Sequence, residues 1–295
     1  MKRIDYFKKH IEFVIDTLEN EEDGMILKKY ILKNKKEMKE LHNFFVMLNM
    51  LIDTAILIQG PLLDEHWLPG GYWSSMKPVA QQRAEGIIPE TICRRMVEYY
   101  RQYGNNVFWS TWENQDKDRQ RLIAQNGIHL ILNLKPSQRG KQNINCQLVS
   151  TRNGVLVIKE HFPHIKYVLK IRGDMIIENI TGLVDYCKKQ KGMGFMFYRT
   201  DLNHPADYAT FGTIDDTLDF YHPDAPNYPM RTPEDAMTNH YVHIKTGVSA
   251  KTVDDVKKIG YFFGSWIIEN NIKVDWLKYA HDPFRRYIEE KICAY

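Results

Sequence analysis

The chain has 295 residues, 43% hydrophobic and 26% charged, which allows one large α/β domain or two smaller ones around a buried core. A formal net charge of +3, with no dense Lys/Arg patch, excludes nucleic acid as an expected partner. Cys93, Cys146, Cys187 and Cys293 stand far apart, the first residues are broken by charges, and no run reaches ~20 apolar residues, so a reduced cytoplasmic protein without a membrane span is expected.

Residues 1–52 read as a helical segment, because Ile4, Phe7, Ile11, Val14, Ile15 and Leu18 recur at three- and four-residue spacing. Its Lys-rich side is predicted as a solvated face, with contact to acidic lipid heads as the alternative. From Thr54 the texture changes. "TAILIQGP" predicts a short buried strand stopped by Gly60-Pro61. "PETICRRMVEYYRQY" predicts a helix, with Pro89 in its first turn and Gly104 past its end.

Strands "NNVFWSTW", "IHLILN" and "YVLKIRGDMII" follow, separated by the helices "ENQDKDRQRLIAQNG" and "NINCQLVSTRNGVLVIKEHF". "GMGFMFYR" and "DYATFG" read as further strands. "AKTVDDVKKIGYFFGSWIIENN" and "DPFRRYIEEKICAY" read as helical. Strands alternating with helices predict a mainly parallel sheet. The expected division is a helical segment over 1–52, a catalytic domain over 53–248 and C-terminal helices over 249–295.

Ligands of open α/β sheets bind beyond the carboxyl ends of the strands. Three such ends carry polar residues: Gln59-Gly60-Pro61, Ser110-Thr111-Trp112 and Arg172-Gly173-Asp174. A carboxylate in that position can hold Mg2+ or Mn2+, which neutralises a diphosphate. Asp174 is the candidate, although an Asp that closes a turn is equally ordinary. The basic loop with Lys135, Arg139 and Lys141 leads into a helix that starts with Asn145, Gln147, Ser150 and Thr151. Polar groups at a helix start suit phosphate or nucleobase contacts, and N-capping explains them equally well. Glu234 and Asp235 follow Thr232-Pro233, which is a helix start with acids in its first turn; the functional reading of either acid is a general base. His204, His222 and His240 carry no metal-binding spacing. No Walker lysine motif or GxGxxG is present.

The ordered motifs "ILIQGP", "VFWSTW", "NINCQLVSTRNGV", "YVLKIRGDM", "DYATFG" and "PEDAMTNHYV", over residues 54–245, resemble the WavE lipopolysaccharide-synthesis family of bacterial glycosyltransferases. The resemblance implies a GT-A-like (Rossmann-like) α/β fold. It also implies an inverting glycosyltransferase of surface polysaccharide synthesis, in lipopolysaccharide or capsule, working in the cytoplasm or peripherally at the inner membrane. Its substrates would be a nucleotide-sugar donor and a saccharide or lipid-linked acceptor. Gln59, Gly60, Pro61, Ser110 and Thr111 would line the donor pocket, with Arg139, Asn145, Gln147, Ser150, Lys170 and Arg172 near the donor. Asp174 would bind Mn2+ or Mg2+, Glu234 or Asp235 would be the base, and Asp207 matches a family acid of open role. A full D-x-D is absent. A nucleotidyltransferase acting on sugar phosphates is the nearest alternative, and a non-catalytic nucleotide-binding protein is the other. The acidic, aromatic "QGPLLDEHWLPGG" after the first strand counts against the former.

Overall fold

The computed structural model describes residues 51–62, 91–199, 204–228 and 231–276, all within one compact unit that begins at Leu51. The expected helices of residues 1–50, residues 63–90 and the final segment "DPFRRYIEEKICAY" lie outside the described residues.

The first four strands arise where the apolar runs predicted them. β1 (Thr54–Gln59) precedes helix α1 (Thr91–Tyr100), β2 (Val107–Trp112), α2 (Lys117–Gln125) and β3 (His129–Asn133). Asp116 starts α2 by accepting from the Arg119 amide, and Gly127, with φ of 75°, follows its end. The long helix α3 (Ile144–His161) then leads to β4 (Tyr167–Arg172), β5 (Met175–Ile177), α4 (Ile180–Lys188) and β6 (Met193–Phe195). A short hairpin, β7 (Tyr198–Arg199) and β8 (His204–Pro205), precedes β9 (Ala209–Thr213) and α5 (Ile214–Phe220). The described chain closes with α6 (Pro233–Thr246), α7 (Val253–Lys257), β10 (Gly260–Phe262), α8 (Gly264–Glu269) and β11 (Val274–Trp276).

Seven strands form one sheet in the order β10-β6-β9-β4-β1-β2-β3, all parallel except β9, which runs antiparallel to both β4 and β6. The fold is therefore the expected α/β class, a mainly parallel Rossmann-like sheet flanked by helices. One difference lies in the C-terminal segment predicted as wholly helical: Gly260–Phe262 is an edge strand paired with β6. Three residues are too few to show a period, so only the open edge of β6 makes them a strand.

Side chains alternate across the pleat. The register pairs Ala55 with Val168, Leu57 with Lys170 and Gln59 with Arg172, which puts these pairs on one face. There Ala55, Leu57, Phe108 and Val168 pack with Val155 and Ile158 of α3 and Ile214 and Leu218 of α5. Gly154 lets α3 settle on the sheet, since a Cβ at that position would come within 2.9 Å of Leu57 and 3.2 Å of Ser110.

The strand order reverses at β1. The chain steps outward through β2 and β3, then crosses back along α3 to place β4 on the other side. Such a switch point opens a crevice beyond the carboxyl ends of the two central strands.

Candidate functional site

The floor of the crevice is made by the turns after β1 and β4. Gly60 takes φ of 135°, a conformation costly for any other residue, and the Gly173 amide donates to the Gln59 carbonyl at 2.9 Å. Trp109 lies beneath this crossing, with its indole N–H 3.4 Å from the Gly60 carbonyl. The two turns are thus held side by side, and the residues after β4 have a fixed position.

Asp174 is one of them. It is 3% exposed; its Oδ2 accepts from Arg172 Nη2 at 2.9 Å, and its Oδ1 is buried without a partner. Arg172 is half-buried and stacks its guanidinium over Tyr208, 5.0 Å from the ring centre. A buried carboxylate oxygen left unclaimed calls for an explanation, commonly an ion or water. The donor set suits a hard divalent cation: one carboxylate oxygen suffices for Mg2+ or Mn2+, which keep most of their waters.

One step back along β4, Lys170 is fully buried and differs from its expected role on the donor. Its ammonium donates to the Asp207 carbonyl at 2.5 Å and to Asp207 Oδ2 at 3.1 Å, beneath the crevice floor. An ion removed from water needs this partner, because its desolvation is repaid only by a close opposite charge. Burial pushes the Lys170 ammonium below its usual range, against the pull of Asp207. For Asp207 burial acts upward, but the charges of Lys170 and then Arg172 outweigh it and hold the carboxyl below the ordinary range. Tyr221, at the end of α5, closes the cluster with its ring 5.6 Å from the ammonium.

Glu234 enters from the first turn of α6. Thr232 caps that helix by accepting from the Asp235 amide, and Pro233 occupies its first position. Glu234 shares a side-chain hydrogen bond with Asp207, and its carboxyl is pushed up to about 7 by burial first and then by the Asp207 charge. Two adjacent carboxyls sharing a proton separate in this way. Asp235 takes a different part. Its oxygens accept from the Arg231 amide at 3.1 Å and from Asn239 Nδ2 at 3.4 Å, so it completes the helix start.

The other wall is the start of α3. Gln59 Nε2 donates to Ser150 Oγ at 2.8 Å, Ser110 Oγ donates to the Ser150 carbonyl at 2.6 Å, and Asn133 Nδ2 donates to Ser110 Oγ at 2.9 Å. Ser110 and Ser150 therefore serve the joint between sheet and helix. Thr111 Oγ1 and Gln147 Oε1 are buried without partners at the same end. Asn145 is half-buried and tied by Nδ2 to the Gln138 carbonyl. Arg139 and Pro61 are exposed at the rim. Gln142 Nε2 reaches the Arg231 carbonyl at 3.2 Å, joining the basic loop to the start of α6.

The structure thus brings Gln59, Ser110, Ser150, Arg172, Asp174, Asp207 and Glu234 to one end of one sheet. Sequence reasoning missed the Lys170–Asp207 pair, although a lysine inside the apolar "YVLKIR" signals a buried ammonium that needs an acid. It also missed the meeting of His222 with His240. Among the described residues no helix is long and apolar enough to cross a membrane.

No protein-family model matches the chain, and no curated protein does. Solved structures similar to it include a cytidylyltransferase from Leptospira borgpetersenii at 17% identity and a TM-score of 0.38, over 71% of this chain and 75% of that one. Another is 4-diphosphocytidyl-2C-methyl-D-erythritol synthase from Anaerococcus prevotii, at 8% identity and a TM-score of 0.38, over 73% and 98%. A third is a Bacillus anthracis protein assigned as glucose-1-phosphate thymidylyltransferase, at 12% identity and a TM-score of 0.37, over 70% and 93%. These findings correct the glycosyltransferase expectation: the names of these neighbours side with the nucleotidyltransferase alternative, and none is named for glycosyl transfer.

Proposed function

We propose that the chain is a nucleotidyltransferase that joins a nucleoside triphosphate to a sugar phosphate. The observation that carries this reading is the Arg172–Asp174 pair in the crevice between β1 and β4, with Asp174 Oδ1 buried and unclaimed. Arg172 offers planar donors suited to phosphate oxygens. Asp174 would hold Mg2+ or Mn2+ through Oδ1, and the ion, when bound, neutralises charge on the phosphoryl group being transferred.

In the proposed step a phosphate oxygen of the sugar phosphate attacks the α-phosphorus of the triphosphate. A new P–O bond forms, and the bond to the departing pyrophosphate breaks. The attacking oxygen is already anionic, so no base is required. Glu234 suits this chemistry for a different reason. With its carboxyl pushed up to about 7, a large share is neutral at physiological pH. Its proton then lies in the hydrogen bond to Asp207, and the neutral acid adds no charge to repel a phosphate group, as an ionised one would. Gln59 and Gln147 line the α3 side, where the base and ribose of the nucleotide would lie.

The test is pyrophosphate release with each nucleoside triphosphate, a panel of hexose 1-phosphates and Mg2+. At least one pair is expected to turn over. Asp174→Asn and Asp174→Ala are expected to lower that rate by about 100-fold or more, with the circular dichroism spectrum retained. Nucleotide binding by calorimetry without turnover of any pair would overturn the assignment in favour of a non-catalytic binding protein.

A further inference from the structure

Beyond the crevice, the described residues contain one cluster with the chemistry of a transition-metal site. His222 and Asp224 lie in the turn after α5, and His240 lies in the middle of α6. One ligand atom from each falls within 4.8 Å of the others. The two imidazoles stack face to face, 4.6 Å apart and 14° from parallel.

Each member is prepared for an ion. His240 is 5% exposed, and its Nδ1 is buried with no partner. Burial, and then the neighbouring His222, hold its imidazole below the ordinary range, which favours the neutral form that ligates. On His222 the Nδ1 lone pair accepts only the Asp224 amide, at 3.2 Å, at the surface. Asp224 Oδ2 stands 3.6 Å from that same nitrogen. Two ligands on a tetrahedral ion with bonds of ~2.0–2.1 Å lie about 3.4 Å apart, so His222 and Asp224 are already near the required spacing. Asp224 is exposed and His222 half-exposed, so both have room to turn toward His240.

We propose that His222, Asp224 and His240 bind a divalent transition ion, with Zn2+ as the best fit, at a site separate from the nucleotide crevice. Two imidazoles and one carboxylate make an N,N,O set that suits Zn2+ and discriminates against Mg2+, which takes all-oxygen shells. A water would complete the tetrahedron on the exposed side. The ion would tie the turn after α5 to α6, the helix that carries Glu234 at its start. The inference does not depend on nucleotidyl transfer, and its test uses no turnover.

The full chain, without a polyhistidine tag, is stripped with EDTA and titrated with Zn2+ and separately with Mg2+ by calorimetry. Retained metal is counted after dialysis. The expected result is about one Zn2+ per chain, with no Mg2+ bound by these three residues. His222→Ala and Asp224→Asn change surface-side residues and should weaken Zn2+ binding about tenfold or more while the apo proteins keep the wild-type unfolding midpoint. His240→Ala should do the same, but it is buried, so the two surface variants decide. Wild-type protein that retains no Zn2+, or surface variants that bind Zn2+ as the wild type does, would overturn the site.

Discussion

Two polar regions on the same face of the same sheet are built in opposite ways. On the α3 side, Gln59, Ser150, Ser110 and Asn133 are neutral and bonded to one another in a chain. On the β9 side, Lys170, Asp207 and Glu234 are ionisable, and each depends on the charge state of the next. Neutral hydrogen bonds exchange water partners for protein partners at modest net gain. Buried charges give up far more hydration, and the loss of one partner leaves the other stranded. The first region is a joint between helix and sheet; the second keeps ionisable acids close to a crevice.

The largest effect that separates them should come from Lys170→Met. Without the ammonium, Asp207 is a buried acid without its main partner, and a loss of about 3–5 kcal/mol is expected in denaturant unfolding at neutral pH. The double variant Lys170→Met/Asp207→Asn should recover much of that loss. If the single variant is as stable as the wild type, the pair contributes nothing and the contrast fails.

Glu234→Gln should sharpen the comparison through pH. The carboxyl sits at about 7 in the folded chain and near its ordinary value of 4.5 when unfolded. Between those values the folded state binds the extra proton, so stability is highest at the acid end and falls as pH rises toward 7. Integrated over that window, Glu234 would cost up to about 3 kcal/mol above pH 7. Unfolding curves between pH 5 and pH 8 are expected to slope downward for the wild type and to flatten for the variant. Asp207, held below its ordinary range, acts at more acid pH: its contribution is present above its unfolded value and is lost as pH falls through the folded one.

The smallest effect belongs to the neutral joint. Ser150→Ala removes the acceptor of Gln59 and the hydroxyl that donates to the Cys146 carbonyl at 2.7 Å. A loss of about 1–2 kcal/mol, independent of pH from 5 to 8, is expected by the same unfolding measurement. A pH-dependent loss would mean that the joint is coupled to the acids.

Much of this arrangement was legible in the residues. β1 to β4 are short apolar runs closed by turn residues, and burial makes such runs strands almost whatever surrounds them. Alternation between strands and helices was enough for a mainly parallel sheet, and the ends of its strands were enough to single out Asp174. The reaction was misjudged, because motifs shared along a chain locate a site without deciding which bond it breaks.

The amino-acid sequence by itself determined the first four strands and which of their ends carry polar groups, since both depend on local pattern. Only the tertiary structure decided the fates of chemically similar neighbours. Glu234 and Asp235 are adjacent acids in one helical turn, yet α6 aims Glu234 at Asp207 and leaves Asp235 to accept from the Arg231 amide before the helix. Lys170 and Arg172 are two cations on one face of one strand, yet Asp207 and Tyr221 enclose the first, and the second is half-buried at the crevice. Gly260–Phe262 became a strand because β6 offered it an edge, and His222 met His240 because α5 and α6 pack together. In each case the partner lies far along the chain, and the energy of a charge or a hydrogen bond depends on what folding places within a few ångströms of it.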